Sequence, residues 1–311
     1  MAGVTWDSIF PGNSSLVRKV LYGSVLVRDY DPTNDFASWS PFDSTSGLLS
    51  STLLTDDGFQ DVGFLDENGV SFDPTYSTAD TTAWQTRQPL RTDVTADTEQ
   101  AAIVALQSTP LTDALYNNVP LSTVSPLGTP GYSMIKPKTP GIVYRSVLFL
   151  GVDGSAGDYI FLAVLYPKAL MVKPDKQDWV AKTELQVPIT FQAYPDSASG
   201  FTIKRWRDGP GWRALALPNA PDALTVGSVT ATTIPVTWSA PATGPAPTSY
   251  TVSVTAGGST VPDATFTPSN PNTTTAATVG GLVTATHYTV AVVSNSANGS
   301  SPAATVEGTT S

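Results

Sequence analysis

The side chains that carry most enzyme chemistry are nearly missing from this 311-residue chain, which has no Cys and a single His, His287. Without thiols there is no disulfide framework, Cys zinc site, iron–sulfur cluster or thiol nucleophile. One His excludes a multi-His metal site, and only His287 could be the base of a Ser–His–Asp triad. It lies on a stretch that alternates apolar and polar and is expected to face solvent. Carboxylates are the remaining chemistry. Asp153-Gly154-Ser155-Ala156-Gly157-Asp158 could suggest phosphate or calcium. A phosphate loop leads into a helix, however, and strand-like residues follow here, so the spacing predicts a hairpin turn. Asp66-Glu67-Asn68-Gly69 and Asp56-Asp57-Gly58 lack the spacing of an EF-hand loop and read as solvated turns. A glycosidase needs two facing carboxylates, but a pair can always be chosen among 26 acids. No catalytic residue, metal site or cofactor is expected. Ile203-Lys204-Arg205-Trp206-Arg207 with Trp212 and Arg213 mixes cations and aromatics as a single-strand clamp does. The net charge of −10 favours cations that meet acids of a neighbouring subunit instead.

Charge and composition divide the chain. Residues 1–100 carry a net −10, residues 101–213 a net +3, and residues 214–311 hold three acids with no Lys or Arg. Such an acidic chain repels DNA, because binding it takes clustered cations. The start, Met1 to Phe10, shows neither a basic nor an apolar signal region, and the longest apolar run, Tyr159–Tyr166, is too short to span a bilayer. The sequence therefore predicts a chain made and kept soluble, and the sequons at Asn13, Asn272 and Asn298 carry little meaning. The composition break at Arg213 sets the expected domains: 1–213, a Pro-containing linker at 214–221, and 222–311.

Periodicity predicts a mostly-β first domain. Strands are expected at Leu16–Arg28, Trp84–Val94, Glu99–Gln107, Ile142–Leu150, Asp158–Tyr166, Glu184–Tyr194 and Phe201–Trp206. The pair 84–94 and 99–107 is read as turning at Ala96–Thr98. Thr112–Asn117 suits a brief helix. Two long segments stand apart: the acidic Asp29–Asp61, read as a functional arm or as disordered in isolation, and the Pro-rich 118–141, an extended loop. Ordering them alone is costly, so contacts between subunits are expected to order them, with Trp39, Phe42 and Phe59 as apolar anchors. Candidate charges for stacking are Asp56, Asp57 and Asp61 against Lys168, Lys173 and Lys176. The unpaired edges of the apolar hairpin 142–166 and of strands 84–107 are expected to pair with neighbouring subunits.

The last segment reads as short strands at 225–230, 234–239, 250–255, 276–279 and 288–294, parted by Pro/Gly/Asn clusters. Disorder is the alternative for so Thr- and Ala-rich a stretch. Against it stand Trp238, Tyr250, Leu282 and Tyr288, spaced as a sandwich core requires. With Pro221 and Gly299 they resemble the fibronectin type III fold, in which Tyr288 would be the corner tyrosine whose hydroxyl bonds back to the backbone. Ser296 stands where that family often has Asn.

Three further segments carry a second resemblance: Gly63-Phe64-Leu65 through Gly69-Val70-Ser71-Phe72 with Ala83-Trp84-Gln85 and Pro89-Leu90-Arg91; the strand from Glu99 to Leu106; and Leu185 to Tyr194 with Asp196, Gly200 and Trp206. Together they are similar to the major tail tube proteins of long-tailed, non-contractile bacteriophages. The resemblance implies an all-β tail-tube sandwich or barrel domain that joins a ring-wide β-barrel, followed by a fibronectin type III-like β-sandwich. It implies a virion protein, made in the host cytoplasm, that stacks as head-to-tail hexameric rings into a conduit for genome ejection, with no catalysis and no cofactor. Its implied partners are other copies of itself, a tape measure protein in the lumen, tail terminator and tail-tip proteins, and double-stranded DNA that passes without specific binding. Host-surface glycans are candidate ligands of the accessory sandwich. The rival reading is a secreted or surface-displayed carbohydrate-binding protein, or an inactive-looking secreted enzyme, bearing a fibronectin type III module.

Overall fold

The computed structural model describes residues 16–139 and 141–311. The opening ten residues, the Asn13 sequon and Pro140 lie outside them. The chain is nearly all β and divides into two compact units, Met1–Gly209 and Pro210–Ser311. The units therefore meet four residues ahead of the composition break at Arg213. Among the described residues no helix is long and apolar enough to cross a membrane.

The first unit holds β1 (Tyr22–Asp29), β2 (Gln60–Asp61), β3 (Leu65–Ala83), β4 (Thr86–Ala105), α1 (Pro110–Tyr116), β5 (Tyr144–Asp153), β6 (Ile160–Pro174), β7 (Val187–Tyr194) and β8 (Lys204–Asp208). Its sheet runs β2-β1-β5-β6-β7-β4-β3, and β8 also pairs with β6. The long β6 makes this possible by sharing one flank: Phe161–Leu165 faces β8 and Lys168–Pro174 faces β7.

The central strands are apolar on both faces, which is why β5 and β6 read as unbroken apolar runs. Val25, Val27, Val147, Phe149, Val164 and Tyr166 enter one core together with Ile103, Ile189 and Phe191. The alternate residues Leu26, Leu148 and Leu165 enter a second core on the opposite face, as the two-residue period of a strand dictates. That second face needs a cover, and the acidic segment 30–59 supplies it. Phe36, Phe42, Leu53 and Phe59 are buried there with Trp39 partly buried beside them. Trp39 meets Phe36, Phe59 and Trp206 at ring-centroid distances of 5.3, 6.1 and 6.0 Å.

This corrects the expectation for Trp39, Phe42 and Phe59: they anchor the segment to their own domain and are not held in reserve for a neighbour. The polar groups of the segment are satisfied internally as well. Asp57 accepts from the Trp39 indole at 3.2 Å and from the Thr52 hydroxyl at 2.9 Å, while its carbonyl accepts from Arg28 at 2.6 Å. Lys204 donates to the carbonyls of Phe36, Ala37 and Trp39.

The Pro-rich segment is tied down at its start. Arg145, wholly buried, donates to Asp29 at 2.6 Å and to the Val119 carbonyl at 2.6 Å. Asp29 in turn accepts from the backbone N–H groups of Leu121 and Ser122. Beyond residue 124 the segment is irregular and largely exposed. α1 begins two residues ahead of the expected helix, because Pro110 fits its first turn and Thr109 and Thr112 cap one another reciprocally.

Several strand assignments change: β3 was not expected, and the strand expected at Phe201–Trp206 runs Lys204–Asp208. The first strand starts at Tyr22, not Leu16. Trp84–Val94 and Glu99–Gln107 are not two strands, since Thr86–Ala105 is one strand and runs straight through Ala96–Thr98. Those residues include no Gly, Pro or Asn to break it. The hairpin turn at 154–158 and the inward row Val187, Ile189, Phe191 of β7 agree with the sequence pattern. The β5–β6 hairpin, however, is central in the sheet, with β1 and β7/β8 on its flanks. It has no free edge to offer a neighbour, which corrects that expectation too.

The second unit begins with a single helical turn, α2 (Pro210–Arg213), and continues as a β-sandwich. One sheet orders β13 (Thr265–Thr267), β14 (Ala276–Gly280), β10 (Ile234–Ser239) and β9 (Asp222–Val226). The other orders β12 (Ser259–Thr260), β11 (Ser249–Ala256), β15 (His287–Ser296) and β16 (Gly299–Ser300), with β17 (Ala304–Thr309) also on β15. Trp238, Tyr250, Leu282 and Tyr288 are buried in its core, as their spacing predicted. Trp238 and Tyr250 pack edge to face at 5.4 Å. The Tyr288 hydroxyl accepts from the Val283 N–H at 2.8 Å. His287 is exposed and lies 3.6 Å from Glu307.

Candidate self-assembly surface

The least self-sufficient feature of the first unit is the β3–β4 hairpin. Its root belongs to the sheet: β4 pairs with β7 from Gln100 to Ala105. Outward from there β3 and β4 pair only with each other, and residues 73–95 are exposed apart from Ala83 and Thr86, which are half-buried. From Asp73 to Ala83 the arm extends about 35 Å at roughly 3.3 Å per residue. Thr75, Thr78, Thr81, Thr82, Thr86, Thr92 and Val94 give it strand character. Register shifts at Ser77/Thr78 and Thr81/Thr82 add twist, as bulges do.

The turn is Trp84–Gln85, a tip without the Asn or Gly that usually announces a two-residue hairpin. Trp84 is 100% exposed, and Tyr76, Leu90 and Val94 are exposed along the shaft. The sequence reading placed Trp84 at the start of a strand. The missed signal is the Thr-rich run between Phe72 and Glu99, which holds no Gly and so offers no loop.

The root is clamped. Phe72 packs edge-on against Phe149 at 5.2 Å and Tyr166 at 6.5 Å. The Tyr166 hydroxyl donates to Glu99 at 2.7 Å, and Arg205 donates to both Glu99 oxygens at 2.5 and 2.7 Å while lying 5.3 Å over the Phe72 ring. Burial, reinforced by the hydrogen bond to Glu99, pushes the Tyr166 hydroxyl well above the usual tyrosine range. The cation-aromatic stretch 203–207 is thus used by its own chain: Lys204 on carbonyls, Arg205 on Glu99, Trp206 in the second core.

Beside the root lies an open groove of about 860 Å³. Tyr22, Phe64, Leu65, Phe72, Phe149 and Leu162 line it, with Asp61, Asp66 and Glu67 along the same lining. Asp66–Gly69 is a four-residue excursion within β3, between the pairs Leu65↔Ala105 and Val70↔Ile103. The Asp66 carboxylate holds it by accepting from the N–H and side-chain amide of Asn68. Gly63, at φ +90, turns the chain from β2 into β3, and a Cβ there would overlap the Gln107 amide.

The charges singled out for stacking are not gathered together. Asp57 is spent inside the cover segment, and Asp61 accepts from Ser24 at 2.8 Å and from the Gly63 N–H at 3.1 Å. Lys168 lies over the Tyr144 and Tyr30 rings at 4.5 and 5.4 Å. Lys173 and Lys176 are exposed and already face Asp175 at 3.4 Å and Asp178 at 2.9 Å. Asp56 is exposed. Among the described residues no group of three or more His or carboxylate side chains is placed to hold a metal ion.

The fibronectin type III domain family matches residues 219–309, so this C-terminal segment is a fibronectin type III domain. No curated protein matches the sequence. Among solved structures, the FN5 domain of Drosophila Lar is 19% identical, covering 30% of this chain and 97% of its own, with a TM-score of 0.24. Titin module A71 from human cardiac muscle is 20% identical over 29% of this chain and 86% of its own, with a TM-score of 0.25. A two-domain fibronectin type III segment from chicken tenascin is 13% identical over 52% of this chain and 97% of its own, with a TM-score of 0.30.

Proposed function

We propose that this chain is a structural subunit that polymerises with copies of itself, as a phage tail tube protein whose rings, of six copies by resemblance, stack into a conduit for DNA. The observation that carries the reading is the β3–β4 arm. An isolated two-stranded hairpin is marginal in water, and this one is exposed on both faces, with apolar side chains and an open β3 edge. Edges of that kind invite pairing with another chain. Closing a ring of subunits removes them, and head-to-tail contacts that do not close along the axis extend a filament. The overall charge of −10 suits a conduit that DNA passes without binding. In this reading the protein belongs to the virion and is made in the host cytoplasm. A tape measure protein occupies the lumen, terminator and tip proteins cap the ends, and the fibronectin type III domain is an outward accessory with host-surface glycans as candidate ligands. It performs no catalysis.

Negative-stain electron microscopy of the concentrated, purified protein tests this. Rings or tubes are the expected result. A monodisperse monomer at every concentration and salt would refute the reading and favour a fibronectin type III-bearing binding protein.

A further inference from the structure

We propose that the groove at the root of the arm is the acceptor for the arm tip of a second copy, with Trp84 entering between Tyr22 and Phe64. The inference rests on the assembly reading and deepens it by naming donor and acceptor.

Three observations converge. The first is shape and polarity. The groove is open, about 860 Å³, within the size range that buries a compact apolar ligand. Phe64 and Tyr22, 75% and 72% exposed at its rim, are as unpartnered as Trp84 itself. Large aromatics are the side chains that gain most from mutual burial, and contiguous exposed apolar surface marks an interaction site.

The second observation is charge. Asp61, Asp66 and Glu67 line the groove, and the strand leaving the tip carries Arg87 and Arg91. Arg205 and Arg207 also belong to the lining, but Arg205 is neutralised by Glu99. Arg91 is paired with Asp93 at 2.7 Å, so the cation that the tip brings to a wall of three carboxylates is Arg87. Such complementarity selects partner and register.

The third is reach. Phe72 lines the groove and Trp84 lies twelve residues further along the strand, so tip and groove of one chain are separated by about 40 Å at roughly 3.3 Å per residue. While the arm is paired it cannot fold back into its own groove, so the occupant must come from another copy. Donor and acceptor are different surfaces, so the contact propagates in one direction wherever two copies do not exchange arms reciprocally about a two-fold axis. The arm's length also sets an upper limit of about 40 Å on the step between neighbouring grooves.

The chain has no native Cys, so engineered thiols report only the designed contact. The test mixes Trp84→Cys with Phe64→Cys chains under oxidation, with Val283→Cys in place of Phe64→Cys as an exposed control. Non-reducing gels read the mixed dimer and electron microscopy reads polymer. Both positions are exposed, so neither substitution disturbs a core. The expected result is mixed dimer about tenfold or more over the control, as held proximity requires. Arg87→Glu should weaken assembly, and Glu67→Arg added to it should restore assembly. Polymer without cross-link above the control overturns the acceptor site and leaves the assembly reading standing. Tip-to-tip Trp84→Cys homodimers in preference to the mixed product also overturn it, because the contact would then be isologous. Monomer from the cysteine chains while the unsubstituted chain polymerises supports the aromatic contact, and monomer from the unsubstituted chain as well, at every concentration, overturns both.

Discussion

Glu99 is the hinge pin of the arm, and its replacement separates two kinds of polar loss. In Glu99→Leu the Tyr166 hydroxyl, on a wholly buried residue, loses its acceptor. Leaving a buried donor unsatisfied costs about 1–3 kcal/mol. The lost Arg205 contact adds less, about 0–1 kcal/mol, because the Arg205 side chain is 45% exposed and returns to water. The expected destabilisation is therefore about 1–4 kcal/mol. Tyr166→Phe removes the donor but leaves Glu99 with both Arg205 bonds, so about 0.5–1.5 kcal/mol is expected. The double variant leaves neither orphan and should be less destabilised than Glu99→Leu alone, the non-additivity that contacting partners show. Urea unfolding read by tryptophan fluorescence gives the three values. Hydrogen exchange at Phe72 and Asp73 reports whether the root loosens in parallel. A double variant worse than Glu99→Leu, or Tyr166→Phe costing more than Glu99→Leu, would refute the argument that the buried hydroxyl dominates.

Other outcomes follow from the same packing. Arg145→Met orphans the Val119 carbonyl and strips Asp29 of its cation, and should cost about 3 kcal/mol, the low end for a broken buried pair because Asp29 keeps access to water and two backbone donors; a loss under about 1 kcal/mol by chemical denaturation would contradict it. The hydrogen bond to Asp196 raises the Tyr30 hydroxyl to about 12, so its contribution is complete below the ordinary tyrosine value near 10 and lost as pH rises through about 12. The stability gap between the parent and Tyr30→Phe should therefore narrow across that window, and a gap of constant size would contradict the assignment. A chain ending at Gly209 keeps both cores and the arm, so it should still polymerise; a folded truncation that stays monomeric in electron microscopy would give the C-terminal domain a role in assembly.

Legibility in the sequence followed from how local each cause was. The sandwich core was readable because Trp238, Tyr250, Leu282 and Tyr288 occupy fixed places on short alternating strands, and the corner hydroxyl reaches only five residues back. Strand β17 was missed, since Ala304-Thr-Val-Glu-Gly-Thr carries one large apolar residue and depends on β15 for its pairing. In the first unit the two-residue alternation of β7 was plain. The cover segment was misread because its anchors Phe36, Phe42, Leu53 and Phe59 follow no period: apart from Leu26, the sheet face they meet is built by Leu148, Ala163 and Leu165, on strands far along the chain. The arm was misread for the opposite reason. The actual turn, Trp84–Gln85, has no turn residues, so the turn was placed at Ala96–Thr98 instead, and Pro74 and Pro89 sit within strands that an isolated hairpin leaves with open edges.

What the fold leaves unfinished also constrains what it can do. The β5–β6 hairpin is flanked on both sides and so offers no strand edge, while Tyr22, Phe149 and Leu162 of β1, β5 and β6 still line the open groove. Among the described residues the β3–β4 hairpin presents an open edge and an exposed aromatic tip with a groove at its root, while Ile135 and Trp179 are exposed elsewhere. A protein whose incompleteness is a donor and a different, matching acceptor can be finished in two ways: two copies exchange arms about a two-fold axis, residue i meeting j and j meeting i, or the contact repeats head to tail. The proposed assembly requires the second, whose end state is a ring or a filament, and a closed dimer as the largest species in electron microscopy would count for the first.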